Sequence, residues 1–366
     1  MAKRVGVDKW LFFTTLMLVV TGLVMVFSAS AVVGAEKYHS AYAFILTQSV
    51  WAAFGLVALI VLMKIDVGRY NSPRFIYPVL GLALALLVLV FFMPGSHHTH
   101  RWIRFGSFFS FQPSEIAKPA LALFLAWFLH DRLGLIRDGH VLLRAASIPL
   151  LLVVMVVCQN DLGTALVLVG VTAMVLVFAG MEWKYLVGAF CAVVPAVLAL
   201  ILLSPWRRDR LLTYLHPAAH SPAGSRAAFH INQSLIAVGT GGLTGRGYME
   251  GMQKLFYLPE SSTDFIFANI AEELGFLGAM LIVALFVVFG VRGLRAAYRA
   301  RDPFSKMLAF GLTVAILLQA FFNISVVLAL VPTKGITLPL ISHGGTSLFC
   351  TLASIGILLN ISRQAE

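Results

Sequence analysis

Four carboxylates, Glu260, Asp264, Glu272 and Glu273, fall within fourteen residues where the polar stretch YLPESSTDFIF (257–267) runs into an apolar segment beginning at Leu274. An acid placed where water gives way to hydrocarbon is costly, and such groups are functional by default. A carboxylate at that level has the chemistry of a general base, able to take the proton of an attacking hydroxyl. A plainer account competes for Asp264. Either it or Thr263 could cap the following helix, whose positive end suits acids. The clustering of four acids favours chemistry.

Cations with anion-binding potential lie elsewhere. Arg101-Trp102-Ile103-Arg104 precedes Gln112-Pro113-Ser114-Glu115, and Lys118 stands one turn inside the apolar segment that follows. Glu115 and Lys118 have i, i+3 spacing and could merely neutralise each other, and Lys118 could snorkel to the interface. A basic outer pocket holding Arg101 and Lys118 would instead suit a pyrophosphate-bearing lipid. Lys334, in Pro332-Thr333-Lys334-Gly335, is a further phosphate candidate. Downstream, Leu338-Pro339-Leu340-Ile341-Ser342-His343-Gly344-Gly345 forces a fixed, non-helical lead into the last apolar segment. Such backbone is tolerated at membrane depth only when buried in protein or lining a wet cavity.

The elements that must position these groups are membrane helices. The chain of 366 residues is 60% hydrophobic and 12% charged, against about 25% charged in soluble domains, with a mean hydropathy of +0.90. Its apolar runs match a ~30 Å hydrocarbon core and are apolar on every side, which excludes a barrel's alternating strands. The fold class expected is an all-α polytopic membrane protein. Ten transmembrane helices are predicted, at about 11–33, 46–63, 75–93, 115–130, 143–158, 162–180, 185–203, 265–291, 306–330 and 342–361. The first run lacks a cleavage site followed by a soluble chain, so it is expected to remain as a span. One transmembrane domain over 1–366 is expected, with a large outer loop at 204–264.

Lys and Arg orient the bundle. Sixteen lie on the side of the N-terminus, while the other side holds five in its short loops, and cytoplasmic loops collect such cations. Both termini are therefore expected to be cytoplasmic. The net charge of +11 follows from the same rule and does not indicate nucleic acid. The outer segments 94–114, 204–264 and 331–341 gather the glycines, prolines and unpaired charges, so function is expected outside.

Several features read as structural. Asp161, in the short turn Gln159-Asn160-Asp161-Leu162-Gly163-Thr164, is explained as an N-cap. Trp206 with Arg207, Arg208 and Arg210 reads as an interfacial anchor. His97, His98 and His100 crowd four residues with no carboxylate beside them, which favours a surface role over a metal site. Cys158, Cys191 and Cys350 give neither a disulfide framework nor metal spacing. Arg246 and Lys254 lie in the glycine-rich approach to Asp264.

The motifs RWI (101–103), QPSEIAK (112–118), DLGT (161–164), YLPESSTDFIF with AEELGFLG (257–278) and PTKGITLPLISHGGTSL (332–348) resemble, in this order, the SEDS family (shape, elongation, division and sporulation) of bacterial cell-wall proteins. The resemblance covers essentially the whole chain. Lys254, the Phe256-Tyr257-Leu258-Pro259 run and Pro332-Thr333-Lys334-Gly335 resemble division-type more than elongation-type members. The resemblance implies a ten-span peptidoglycan glycosyltransferase that polymerises lipid II at the outer face of the cytoplasmic membrane, at the septum. It also implies a class B penicillin-binding protein and other division-complex membrane proteins as partners. The family's essential acid matches Asp264. Asn160 stands where the family usually has Pro, His343 where Tyr is common, and Ser262 where a His usually precedes Thr-Asp.

The chemistry implied is an inverting transfer. Asp264 takes the proton of the acceptor's 4-hydroxyl as it attacks the donor's anomeric carbon, and undecaprenyl pyrophosphate leaves under cationic stabilisation. The residues expected to contact substrate are Arg101, Gln112, Glu115, Lys118, Lys254, Glu260, Lys334 and Ser342. A divalent cation, Mg2+ or Mn2+, is the one cofactor this chemistry admits, as an electrostatic template; no organic cofactor is expected. Two rivals use the same composition: a transporter flipping lipid II, and a non-catalytic scaffold for the division complex.

Overall fold

The computed structural model describes residues 6–93, 101–105, 109–215, 226–255 and 257–364. His97, His98, His100 and Phe256 lie outside the described residues. The helices are α1 (Lys9–Tyr38), α2 (Ala43–Lys64), the single turn α3 (Val67–Tyr70), α4 (Pro73–Leu89), α5 (Pro113–Leu129), α6 (Gly139–Cys158), α7 (Leu162–Phe178), α8 (Trp183–Leu202), α9 (Pro205–Leu215), α10 (Arg226–Thr240), α11 (Ile266–Arg299), α12 (Pro303–Val327) and α13 (Gly345–Gln364). Their starts carry local signals. Asp8, Asp138, Asp161 and Asp302 accept first-turn amides at the N-caps of α1, α6, α7 and α12, and Pro73, Pro113 and Pro303 occupy first-turn positions that need no donor.

Among the described residues, eight helices are long and apolar enough to cross a membrane. The two other expected spans are α5 and α7, of 17 residues each, about 26 Å at 1.5 Å per residue. They sit inside: α12 packs against α5, α7 and α11, while α2 runs along α13. By contrast α8 has no buried residue and forms a lipid-facing edge. The chain is an integral membrane protein. Arg292 on α11 binds Asp8 at the head of α1 at 2.5 Å, and Asn360 and Arg363 on α13 bond carbonyls of Leu62 and Met63 at the end of α2. The start of α1 and the end of α13 thus lie at one end of the bundle, and the Lys and Arg bias makes that end cytoplasmic.

The outer segments hold more structure than hydropathy suggests. Strands β1 (Ile103–Phe105) and β2 (Phe109–Phe111) form a small antiparallel hairpin with Ile103 opposite Phe111. The Thr346 hydroxyl pins it to α13, bonding the Ser110 carbonyl at 3.2 Å and accepting from the Gln112 amide at 3.3 Å. The expected loop 204–264 contains α9 and α10. On α10, Ala228, Ile231, Ser234 and Ala237 are all buried; the helix packs on α11, and the Ser234 hydroxyl donates to the Val327 carbonyl of α12 at 2.8 Å.

Helix α11 is broken where its membrane-crossing part begins. Gly275 has φ +67 and ψ −166, a region open essentially to glycine alone. The glycine-rich segment after α10 inserts there. The carbonyls of Glu272 and Glu273, freed from the helical ladder, accept the amides of Arg246 (3.0 Å) and Gly247 (3.1 Å). The freed amides of Phe276 and Leu277 donate to Gly242 (2.9 Å) and Leu243 (3.1 Å). These four bonds replace helical ones that the break removes, as buried backbone requires. A Cβ at Gly275 would stand 2.2 Å from the Gly245 nitrogen. Gly275→Ala is therefore expected to cost about 1–3 kcal/mol in conformation and more from the clash. A lower thermal midpoint and a smaller monodisperse fraction in detergent are the readouts.

Candidate functional site

Asp264 lies in the turn just ahead of α11, partly exposed. It is not a cap: the N-cap position is Phe265, with no side-chain bond, and Thr263 instead donates to Glu260, at 3.1 Å to its carboxylate. The Asp264 carboxylate makes no hydrogen bond among the described residues. It rests against Gly335, where a Cβ would come within 2.8 Å of its Oδ2, so the last outer loop must be bare at that point. Desolvation by burial, reinforced by the neighbouring Glu260 charge and opposed by Arg101, pushes its pKa up to about 7. A carboxylate held near neutrality and free of partners is suited to proton transfer at physiological pH.

Two polar residues of α12 hold the surroundings. Asn323 donates to the Asp264 carbonyl at 2.8 Å and to the Ile336 carbonyl at 2.7 Å, clamping the two outer segments together. One turn earlier, Gln319 accepts from Lys118 and donates to Thr337 at 3.0 and 3.1 Å. Neither was singled out from the sequence, although Asn and Gln spaced i, i+4 inside an apolar span were a readable signal.

Asp264 borders two cavities. The first, of about 310 Å³, is polar and lined by Arg101, Gln112, Glu115, Lys118, Glu260 and Asp264, with Gln319, Thr337 and His343 completing its wall. At its floor Lys118 is tied to Glu115 at 2.6 Å. Burial drives the His343 pKa down to about 4, so its ring is neutral, and its Nε2 lacks a partner. The second cavity, of about 480 Å³, has a cationic rim of Arg101, Arg207, Arg210 and Lys334 over apolar walls that include Ile201, Leu211 and Phe322. Burial, with Arg207 nearby, pulls the Lys334 pKa down to about 8. Arg101 and Asp264 line both spaces.

Six of the nine expected site residues, Arg101, Gln112, Glu115, Lys118, Glu260 and Asp264, thus share one cavity, and Lys334 faces the adjoining one. Two do not line either. Lys254 is 3% exposed and points the other way, bonded to Glu273 at 2.6 Å and to the Ser28 hydroxyl at 2.9 Å. Ser342 is a brace: its hydroxyl donates to the Thr263 carbonyl at 2.6 Å and accepts the Leu338 amide at 2.7 Å. Glu272 and Glu273 are fully buried and serve as backbone acceptors, taking the amides of Met252 (2.8 Å) and Met249 (3.0 Å) respectively. The reading of α9 as a plain anchor is also corrected. Arg207 reaches the Asn160 side chain at 2.7 Å and Arg210 the Thr333 carbonyl at 3.2 Å, because their i, i+3 spacing turns both to one side. Asp161 caps α7 through Thr164, as expected, and also holds Gln112 at 3.0 Å. Among the described residues no group of three metal-ligating side chains gathers.

Fold and site together define an α-helical, polytopic membrane protein with an acid–base cavity opening at its outer end beside a cationic, apolar-walled groove. The chain belongs to the Cell cycle protein family of FtsW, RodA and SpoVE, which matches residues 9–366. It is 40% identical over 94% of its length to the probable peptidoglycan glycosyltransferase FtsW of Geobacter metallireducens, covering 92% of that chain. It is 39% identical over its full length to stage V sporulation protein E of Bacillus subtilis, covering 99% of it. Its structure is similar to a chain of a solved peptidoglycan synthase complex, with a TM-score of 0.77, 27% identity and 98% of both chains covered. It is similar also to the rod shape determining protein RodA of Thermus thermophilus, with a TM-score of 0.70, 27% identity and the same coverage.

Proposed function

We propose that this protein is a peptidoglycan glycosyltransferase that polymerises lipid II at the outer face of the bacterial cytoplasmic membrane, in septal wall synthesis. A class B penicillin-binding protein and other division-complex membrane proteins are its partners. The observation that carries the reading is Asp264, an unpartnered carboxylate with a pKa near neutrality at the border of a polar cavity and a cationic, lipid-walled one. The polar cavity suits the acceptor sugar and the cationic groove the donor's pyrophosphate and prenyl chain.

The acceptor's 4-hydroxyl oxygen forms a bond to the donor's anomeric carbon from the face opposite the leaving group. The carbon–oxygen bond to phosphate breaks, its electron pair leaves on undecaprenyl pyrophosphate, and the hydroxyl proton passes to Asp264. Arg101, Arg207, Arg210 and Lys334 stabilise the departing charge. Lys118 is committed to Glu115 and Gln319, so it orders the cavity floor. A Mg2+ ion would be held by Glu260, which lines the same cavity, together with substrate phosphates, leaving Asp264 free as the base; it would neutralise pyrophosphate charge.

The free-enzyme rate, kcat/KM, should follow a bell-shaped pH profile. Below about 7 Asp264 is protonated and cannot accept the proton; above about 8 Lys334 loses the charge that meets pyrophosphate. Lys334→Arg, charged throughout this range, is expected to remove the alkaline limb and leave the acid one. Labelled lipid II supplied to the purified full chain, with and without its penicillin-binding protein, tests the whole reading. Glycan strands are expected. No strands even with the partner, together with movement of lipid II across vesicles, would replace the enzyme by a transporter.

A further inference from the structure

At the cytoplasmic end, away from the catalytic cavity, a polar pocket adjoins an apolar groove. The pocket, about 350 Å³, is lined by Lys9, Arg292, Arg295, Arg299, Asp8 and Ser362. The groove, about 800 Å³, is walled by Phe12, Phe13, Leu16 and Met63. Val7, Lys9 and Trp10 line both. Among the described residues the pocket's cations outnumber its carboxylates. Asp8 is its only carboxylate among the described residues, and it is already spent three ways. It accepts the amides of Trp10 (3.1 Å) and Leu11 (3.0 Å) and holds Arg292 at 2.5 and 2.9 Å. Lys9 and Arg295 are exposed, yet both line this one open cleft beside the first turn of α1, whose positive end adds to the same field. Trp10 is 61% and Phe13 49% exposed beside them.

We infer that pocket and groove together form a binding site for an anionic diacyl phospholipid of the inner leaflet. Its phosphate sits among Lys9, Arg295 and the Arg292 edge, and one acyl chain lies along Trp10, Phe13 and Leu16. Charge complementarity selects this occupant. Basic pockets at the cytoplasmic ends of membrane helices bind anionic head groups, and the contiguous apolar wall requires that the anion carry a chain. The site is independent of the glycosyltransferase reading.

The test is binding of phosphatidylglycerol and of phosphatidylcholine with the same chains to the full-length protein in detergent, read by native mass spectrometry and by the shift in thermal midpoint. Phosphatidylglycerol is expected to bind and stabilise, and phosphatidylcholine not. Lys9→Gln with Arg295→Gln should weaken binding about 25-fold, roughly fivefold per cation, while Arg295→Lys retains most of it. The comparison pair Arg69→Gln with Arg74→Gln, exposed cations on the same face but outside the pocket, should change nothing. Equal loss in both pairs would reduce the effect to the general charge of the inner face and overturn the site. Equally strong competition by glycerol 3-phosphate, a head group without chains, would also overturn it.

Discussion

Asp264→Asn should lower glycan polymerisation from labelled lipid II by about 10²- to 10⁴-fold, the range a positioned general base contributes, while leaving the fold intact. The substitution keeps the shape of the side chain and removes only its ability to take a proton. Nothing structural depends on the charge, since the carboxylate makes no hydrogen bond among the described residues and the residue is held through its backbone carbonyl by Asn323. The desolvated charge, destabilised by burial and by Glu260, is a cost to the folded state. Its neutralisation should therefore leave the thermal midpoint of the detergent-solubilised protein unchanged or slightly higher. Activity falls without loss of stability, which separates a catalytic group from a structural one. Polymerisation retained by the purified variant would end the base assignment, and would favour a scaffold that only recruits its transpeptidase.

The opposite pattern is expected at Glu273 and Lys254. Their side chains are 0% and 3% exposed and 2.6 Å apart, with Ser28 bonding both. Glu273 also accepts the Met249 amide and lies beside the break at Gly275. Removing one partner strands a buried charge, at a cost of about 3–5 kcal/mol. Lys254→Met and Glu273→Gln should each lower the unfolding free energy by that amount. The double variant should cost less than the sum, because the stranded charge disappears; a double-mutant cycle on denaturant unfolding gives the coupling. Additive losses would show that the two charges do not interact. Refolded or residual native protein carrying either change should still turn over lipid II, because neither side chain lines the cavities around Asp264.

The acids Glu260 and Asp264, set against Glu272 and Glu273, also mark where sequence and tertiary structure divide the information. The sequence placed Glu260 and Asp264 in the site and left Glu272 and Glu273 out of it, and only the first pair faces the cavity. About two turns of α11 separate the two pairs, and just beyond Glu273 the helix breaks at Gly275, where a segment about thirty residues upstream inserts its own amides. That contact is non-local, so no reading of windows around Glu273 could contain it. Lys254 was misassigned for the same reason: its partners Ser28 and Glu273 are distant in sequence, whereas the glycines around it suggested only proximity to Asp264.

What the sequence determined by itself was everything that depends on summed local hydropathy and on short spacing. The transfer free energy of long apolar runs dictates helices across a membrane, and the distribution of Lys and Arg dictates their orientation. Caps such as Asp161 and the i, i+3 pair Glu115–Lys118 are local and were readable. Asp264 could be set at the outer rim by counting residues from the apolar run. What only the tertiary structure decided was which distant side chains meet. Arg207 and Arg210 look like an anchor until α9 folds them over Asn160 and Thr333. Gln319 and Asn323 look like tolerated polar residues until they are found clamping Lys118, Thr337, Asp264 and Ile336. Helix α10 was hidden because hydropathy averages over buried and exposed positions alike, and its buried residues become meaningful only against the helices that cover them.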